Sequence, residues 1–266
     1  MSINALPSLR SATRALLAVT AALAAGLGLA EESRLTVSAG ALYTTGDYGG
    51  EQSIDESYVP VTAGVDWSRV ALRVTVPFLS VRAPEQTSVV GPDGEVIVGE
   101  GDLVTESGLG DILASVTLYD VLVSRSGNLV MDLTGKVKFG TADETVGLGT
   151  GEEDYSLQAD VFSFHDRLTA IGTVGYALRG DPAGYELDDT LFASIGGSYV
   201  VTDAASLGLF FDDRESALPG EGSLRELSAS GAFRVGEHSQ ALVYLLTGFS
   251  DGSPDWGAGL SLLASF

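Results

Sequence analysis

Apolar and polar side chains alternate with a period of two along most of the chain after residue 34. In residues 256–266, Trp256, Leu260 and Phe266 belong to one face, and mostly Gly and Ser occupy the other. Successive side chains of a strand point to opposite faces, so one face can meet lipid while the other meets a lumen. Because about 9 to 11 tilted residues cross the hydrocarbon core, this segment is typical of a closing strand in a membrane β-barrel.

Twelve segments share this alternation, and the connections between them are alternately short and long. Short periplasmic turns and longer external loops are typical of outer-membrane barrels. The sequence therefore predicts an all-β fold, a transmembrane antiparallel up-and-down β-barrel of about twelve strands with short periplasmic turns and long acidic extracellular loops. Ten or fourteen strands stay open. The predicted strands are residues 35–43, 58–67, 70–81, 108–119, 129–139, 155–163, 168–179, 191–199, 205–211, 227–235, 241–249 and 256–266.

Aromatic residues fall at two levels of these segments. Two such girdles mark the membrane interfaces of an outer-membrane barrel, whereas a soluble sandwich or secreted barrel would leave them unexplained. At the long-loop ends stand Tyr43, Phe78, Phe139, Tyr155, Tyr176, Phe211, Phe249 and Trp256, and at the short-turn ends stand Trp67, Tyr199, Phe233 and Phe266.

The amino-terminal residues have the pattern of a secretory signal. Arg10 and Arg14 precede an apolar run over residues 15–29 that closes on small residues. This run is too short for a spanning helix, which needs about 20 residues. We expect residues 1–30 to be a cleaved signal peptide and residues 31–266 to be the barrel. An aromatic carboxylate at Phe266 resembles the signal that the outer-membrane insertion machinery recognises.

The composition of the chain limits the binding partners and the class of protein that it can represent. Removal of both signal arginines changes the formal net charge from −22 to −24, a balance that repels nucleic acid and favours cations. The chain has no cysteine, so it needs no disulfide framework, and its 45% hydrophobic content is too high for an acidic disordered chain. We expect outer-membrane lipid and a small-molecule solute as partners.

Three stretches in the middle of the chain are more specific than a barrel requires. They are SGLGDI from Ser107, GKVKFGTAD from Gly135 and GLGTGEEDY from Gly147, and we call them the signature stretches. With Gly175, Tyr176 and Ala177 they resemble the outer-membrane family named for the MetA-pathway of phenol degradation. The chain departs from the family where Gly140 and Ala142 flank Thr141. The resemblance implies a transporter-like envelope protein without catalytic residues.

An enzyme is the first alternative, because some outer-membrane barrels are proteases or phospholipases. These need a base, usually a histidine, near the external rim. The only histidines, His165 and His238, fall in predicted periplasmic turns. The sequence therefore disfavours an enzyme, and it predicts no cofactor.

Charged residues with lumen parity are the first functional candidates. Folding the strands about their turns puts Asp111 level with Lys136 and Lys138, and brings Asp160 close to Lys136. Buried charges need partners, so we expect a lumen polar network that either fills a narrow barrel or sets the selectivity of a pore. The candidates are Arg73, Asp111, Asp132, Lys136, Lys138, Asp160, Arg179, Asp212 and Arg225.

Two prolines suggest a lateral seam. Pro60 and Pro77 lie near the long-loop ends of consecutive predicted strands, and proline cannot donate to the ladder. A weakened seam between these strands would let an apolar solute leave sideways into the outer leaflet. The alternative is that both strands end above the membrane.

An acidic cluster follows the second signature stretch. Carboxylate oxygens are the ligands of calcium and magnesium, so these residues are candidates for binding divalent cations at the cell surface, although their spacing matches no defined calcium loop. The alternative is a solvated acidic surface. The cluster comprises Asp143, Glu144, Glu152, Glu153 and Asp154.

The function that these patterns favour is an outer-membrane channel for passive uptake of small, aromatic or hydrophobic solutes. The competing class is a non-conducting structural or surface-interaction barrel with a closed lumen. Any constriction must come from side chains or a folded-in loop, for which residues 82–106 are the one long candidate.

Overall fold

A computed structural model describes residues 33–90 and 95–266. The predicted signal peptide, residues 1–30, lies outside the described residues. Within the described ranges, no helix has the length and apolarity needed to cross a membrane.

Fifteen strands make up almost all of the regular structure of residues 33–90 and 95–266. The one helix of the described residues is a single 3₁₀ turn, Glu144–Val146. In chain order the strands are β1 (Arg34–Gly46), β2 (Ile54–Asp66), β3 (Val70–Pro84), β4 (Ser88–Val89), β5 (Val96–Ile97), β6 (Leu103–Leu109), β7 (Ile112–Val123), β8 (Leu129–Phe139), β9 (Asp154–His165), β10 (Leu168–Leu178), β11 (Thr190–Thr202), β12 (Ala205–Arg214), β13 (Leu224–Gly236), β14 (Ser239–Gly248) and β15 (Trp256–Ser265).

The main sheet closes into a barrel. Each wall strand pairs antiparallel with its neighbours along the chain, and β15 pairs with β1 from Thr36–Ser265 to Thr45–Trp256. Strands β6 and β7 both pair with β3 and form one interrupted wall strand, which gives a wall of twelve strands. The predicted antiparallel β-barrel of about twelve strands is therefore confirmed. Closure leaves no unpaired edge, as a barrel in lipid requires.

The outer surface of the barrel is apolar. Leu109, Ile195 and Leu245 are each at least 60% exposed, which in water would be costly for so continuous a band. All eight aromatic residues of the long-loop level are exposed, as are Tyr199 and Phe233 of the other level. The wall is thus built to face lipid, as in outer-membrane barrels.

The two ends of the barrel differ in their connections. Turns at residues 67–69, 166–167, 203–204 and 237–238 are tight, whereas most connections at the opposite end are long. Several strands continue into these long connections beyond the predicted ends, β1 to Gly46 and β2 from Ile54. Backbone pairing continues there above the apolar band, where alternation gives no signal.

Candidate functional site: the lumen and its cap

The long connection between β3 and β6 folds over the barrel mouth. Its described parts are residues 85–90 and 95–102, which we call the strap, and β4 pairs there with β5. Val89 and Val96 pack in a buried cluster with Ile54 and Leu148. Removing these side chains from water fixes the strap to the neighbouring loops. The loop predicted as the candidate constriction is therefore the one that caps the mouth.

A buried carboxylate fastens the strap on the far side. Glu95 is only 3% exposed. Its Oε1 accepts a hydrogen bond of 2.6 Å from the Ser216 hydroxyl and one of 3.0 Å from the Ala217 N–H. Both partners lie in the β12–β13 connection, which stands opposite β3 in the ring of strands. The strap consequently runs across the mouth from one wall to the other.

A buried charge network lies inside the mouth. The Nζ of Lys138 is 3.1 Å from Oδ2 of Asp111 and 3.5 Å from Oδ2 of Asp154. The Nη1 of Arg179 lies 3.2 Å from the same Asp154 oxygen, and Lys138 also donates to the Thr150 hydroxyl at 2.9 Å. The four charged side chains are between 3% and 9% exposed, so each charge depends on its partners.

The signature stretches meet at this network. Oδ1 of Asp111, from the first stretch, accepts hydrogen bonds from the N–H groups of Thr141 and Ala142 in the second. The second and third stretches touch through their backbones, since a Cβ on Gly140 would lie 2.1 Å from the carbonyl oxygen of Gly151. These residues therefore hold the β8–β9 connection against the lumen wall.

A cavity of about 530 Å³ opens beside the network, along the wall from β7 to β12. We call it the basic cavity. Phe192 and Phe210 supply aromatic surface. Lys136 is exposed there, and among the described residues it forms no ion pair. The cationic lining residues are Lys136, Lys138, Arg179 and Arg214, and the anionic ones are Asp154, Asp212 and Asp213.

A second cavity, of about 290 Å³, lies along the other half of the wall, from β12 through β14 to β1 and β2. We call it the acidic cavity. Burial raises the pKa of the Tyr48 hydroxyl in the β1–β2 connection well above its usual range, so this ring lines the cavity uncharged. Asp212 and Arg214 line both cavities. The charged lining residues are Glu56, Asp212, Arg214 and Glu226.

A smaller polar cluster lies at the short-turn end of the lumen. The Nη2 of Arg73 is 2.7 Å from Oδ1 of Asp66, and the Tyr119 hydroxyl contacts both. Here the two charged side chains are 36% and 22% exposed. Water screens such a pair far more than the network at the mouth.

Two of the lumen candidates, Asp160 and Arg225, are placed differently from the prediction. Asp160 faces Asp132 in the β8–β9 register, not Lys136, and accepts a 2.6 Å hydrogen bond from Thr173. Arg225 does not join the lumen: it forms an exposed ion pair with Asp213. It shares the parity of the outward residues of β13, so Glu226 is the lumen-facing neighbour.

The prolines do not weaken the pairing between their own strands. Pro60 stands directly opposite Pro77 in an unbroken β2–β3 ladder. The Pro77 carbonyl accepts from Gly110 N–H at 3.0 Å, so its missing donor faces β7, and that of Pro60 faces β1. The interrupted ladders are accordingly β1–β2 and β3–β7. The predicted seam between β2 and β3 was wrong, because adjacent residues of a strand bond to opposite neighbours.

The structure does not bring the histidines or the acidic cluster together into a catalytic or metal site within the described residues. His165 and His238 lie at the short-turn end, and His165 contacts Ser163. Asp154 is buried and pairs with Lys138 and Arg179 inside the mouth. Across the described ranges, no group of three or more histidine or carboxylate side chains is placed to hold a metal ion. Binding of divalent cations by this surface therefore lacks geometric support.

Comparison with known proteins agrees with this architecture. A crystal structure of an outer membrane channel from Pseudomonas putida F1 is similar at a TM-score of 0.69 and 13% identity, covering 88% of this chain and 95% of that one. The NanC porin is similar at 0.54 and 6% identity, covering 85% and 98%. No curated protein matches the sequence. The family model described as Putative MetA-pathway of phenol degradation matches residues 33–266, and the chain therefore belongs to that family.

Proposed function

We propose that this protein is an outer-membrane channel through which small solutes, including aromatic and apolar ones, diffuse passively. The observation that carries the proposal is the lumen: below the strap it holds cavities of about 530 and 290 Å³ instead of being filled by side chains. The family description adds a link to phenol degradation. Insertion through recognition of Phe266 belongs to the same proposal.

The geometry suggests how solutes would be filtered. The strap divides the mouth, so a solute passes on the side of the basic or the acidic cavity. The aromatic rings of Phe192 and Phe210 favour apolar solutes in the basic cavity. The charged side chains around each cavity select solutes by the sign of their charge. The driving force is the concentration gradient alone, and the proposal includes neither catalysis nor a cofactor.

Conductance in planar lipid bilayers tests the proposal. We expect discrete channels with a reversal potential that favours cations in a salt gradient, because the net charge of the chain after loss of the signal arginines is strongly negative. Anion selectivity would contradict the electrostatic part. A folded, heat-modifiable barrel that never conducts, at any voltage or salt concentration, would overturn the channel in favour of a structural or surface-interaction barrel.

A further inference from the structure

Glu56 is a buried carboxyl group that faces the acidic cavity. Glu56 is only 8% exposed. Within residues 33–90 and 95–266 it forms no hydrogen bond and no ion pair, although it lines the cavity. A polar group withdrawn from water in this way is costly unless a partner satisfies it.

The cavity wall does not balance this charge. The cavity is lined by three carboxyl groups, those of Glu56, Asp212 and Glu226, and by one guanidinium group, that of Arg214. Asp212 likewise forms no hydrogen bond or ion pair with any described residue. The surplus of carboxyl groups in this partly enclosed space favours a cation as the occupant, because Coulomb attraction is stronger there than in bulk water.

Apart from Thr44, the rest of the wall is aliphatic or aromatic. Leu42, Leu246 and Pro254 line the cavity beside the rings of Tyr48 and Tyr58. Aromatic rings attract cations through their faces, and the aliphatic side chains suit a hydrocarbon body. The volume of about 290 Å³ is near the lower end of the range for ligand pockets, roughly 300 Å³. The cavity thus suits one small amphiphilic molecule.

A metal ion fits less well than an organic cation. No described group of three carboxylate or histidine side chains is close enough to hold a metal ion, and divalent cations require several oxygen ligands at short range. An ammonium group needs only two or three acceptors. We infer that the acidic cavity binds a small organic cation, a primary ammonium on an aromatic or short apolar body, with the ammonium donating to the Glu56 carboxylate.

Calorimetric titration of the full-length folded barrel in non-ionic detergent tests this inference. The probes are 2-phenylethylamine, which is protonated at neutral pH, and 2-phenylethanol, its neutral analogue of similar size. We expect the amine to bind at one site and at least about tenfold more tightly than the alcohol, the value of a charge-assisted hydrogen bond. Equal binding of the two probes by the wild-type protein would overturn the inference.

Two variants locate the binding energy. Glu56→Gln should weaken amine binding about tenfold or more and leave alcohol binding unchanged, and Glu56→Asp should restore part of the affinity. The matched control is Glu106→Gln, because Glu106 is also partly buried but lies outside the cavity. If Glu56→Gln binds the amine like the wild-type protein, the site is wrong.

The inference deepens the proposed channel, since the cavity lies in its lumen, but its test needs no transport. A barrel that binds the amine and never conducts would remove the channel alone. A conducting barrel that does not distinguish amine from alcohol would remove the cation site alone.

Discussion

The basic and acidic cavities occupy opposite halves of one lumen, and they differ in whether their buried charged side chains are paired. In the basic cavity, Lys138, Arg179 and Asp154 are tied into a buried network with distances of 3.1 to 3.5 Å. In the acidic cavity, Glu56 is equally buried and forms no hydrogen bond or ion pair with a described residue. Paired charges support the wall, whereas an unmatched one is left for a ligand.

The difference follows from the loops above each half. The β8–β9 connection folds against Lys138 and supplies acceptors such as the Thr150 hydroxyl. Above Glu56 the β1–β2 connection supplies Tyr48 and the first residue of β2 is Ile54, and both are uncharged members of the buried cluster. The same barrel wall therefore carries a paired charge network around Lys138 on one side and the unpaired carboxyl group of Glu56 on the other.

Substitution of Lys138 should disrupt the buried charge network and cause the largest loss of unfolding free energy. Lys138→Met leaves Asp111 and Asp154 without their shared cation, and removal of one partner from a buried pair costs about 3 to 5 kcal/mol of unfolding free energy. Lys136→Met, two residues along the same strand, removes an exposed lysine and should change stability by less than about 0.5 kcal/mol. Urea unfolding in lipid vesicles measures both. Equal losses would mean that burial does not separate these lysines.

Removal of the Glu95 side chain should loosen the strap that separates the two halves of the mouth. Glu95→Ala leaves the Ser216 hydroxyl and the Ala217 N–H without their acceptor, at a cost of about 1.5 to 3 kcal/mol. Hydrogen exchange of the strap, residues 85–90 and 95–102, should then accelerate by about ten- to a hundredfold. The control is Glu100→Ala, on the exposed part of the same strap. Unchanged exchange in Glu95→Ala would show that the apolar cluster alone holds the strap.

The smallest effect is expected at the uncapped end of the lumen. Arg73→Ala removes a partly exposed ion pair, which contributes about 0 to 1 kcal/mol. Because water and salt reach this pair, the loss should shrink further at high ionic strength. The measurement is urea unfolding at low and high salt. A large loss that is independent of salt would contradict the contrast between the two ends.

The wall was predictable because lipid on one side and a lumen on the other impose alternation on every strand. Register counting from the outward Leu227 would also have placed Arg225 outside, so that error had a signal in the sequence. Glu56 was missed for another reason. It lies in the part of β2 that continues beyond the apolar band, where pairing with β1 and β3 holds the strand and no hydrophobic pattern marks it.

The cap could be predicted only as a long loop. Val89, Val96 and Ile97 are isolated short apolar pieces with no period, and their burial depends on partners such as Leu148 and Ala217. Those contacts arise from the closure of the ring, which no local pattern encodes. The signature stretches were recognised as unusual, but their meeting around Lys138 follows from tertiary geometry.

The hydrogen bond between Glu95 and Ser216 also fixes an order in time. The two residues are 121 positions apart in the chain, and the wall strands from β6 to β12 lie between them. Bringing such distant residues together is entropically costly until the intervening strands have paired. We therefore expect the strap to dock late in assembly, after the barrel has closed.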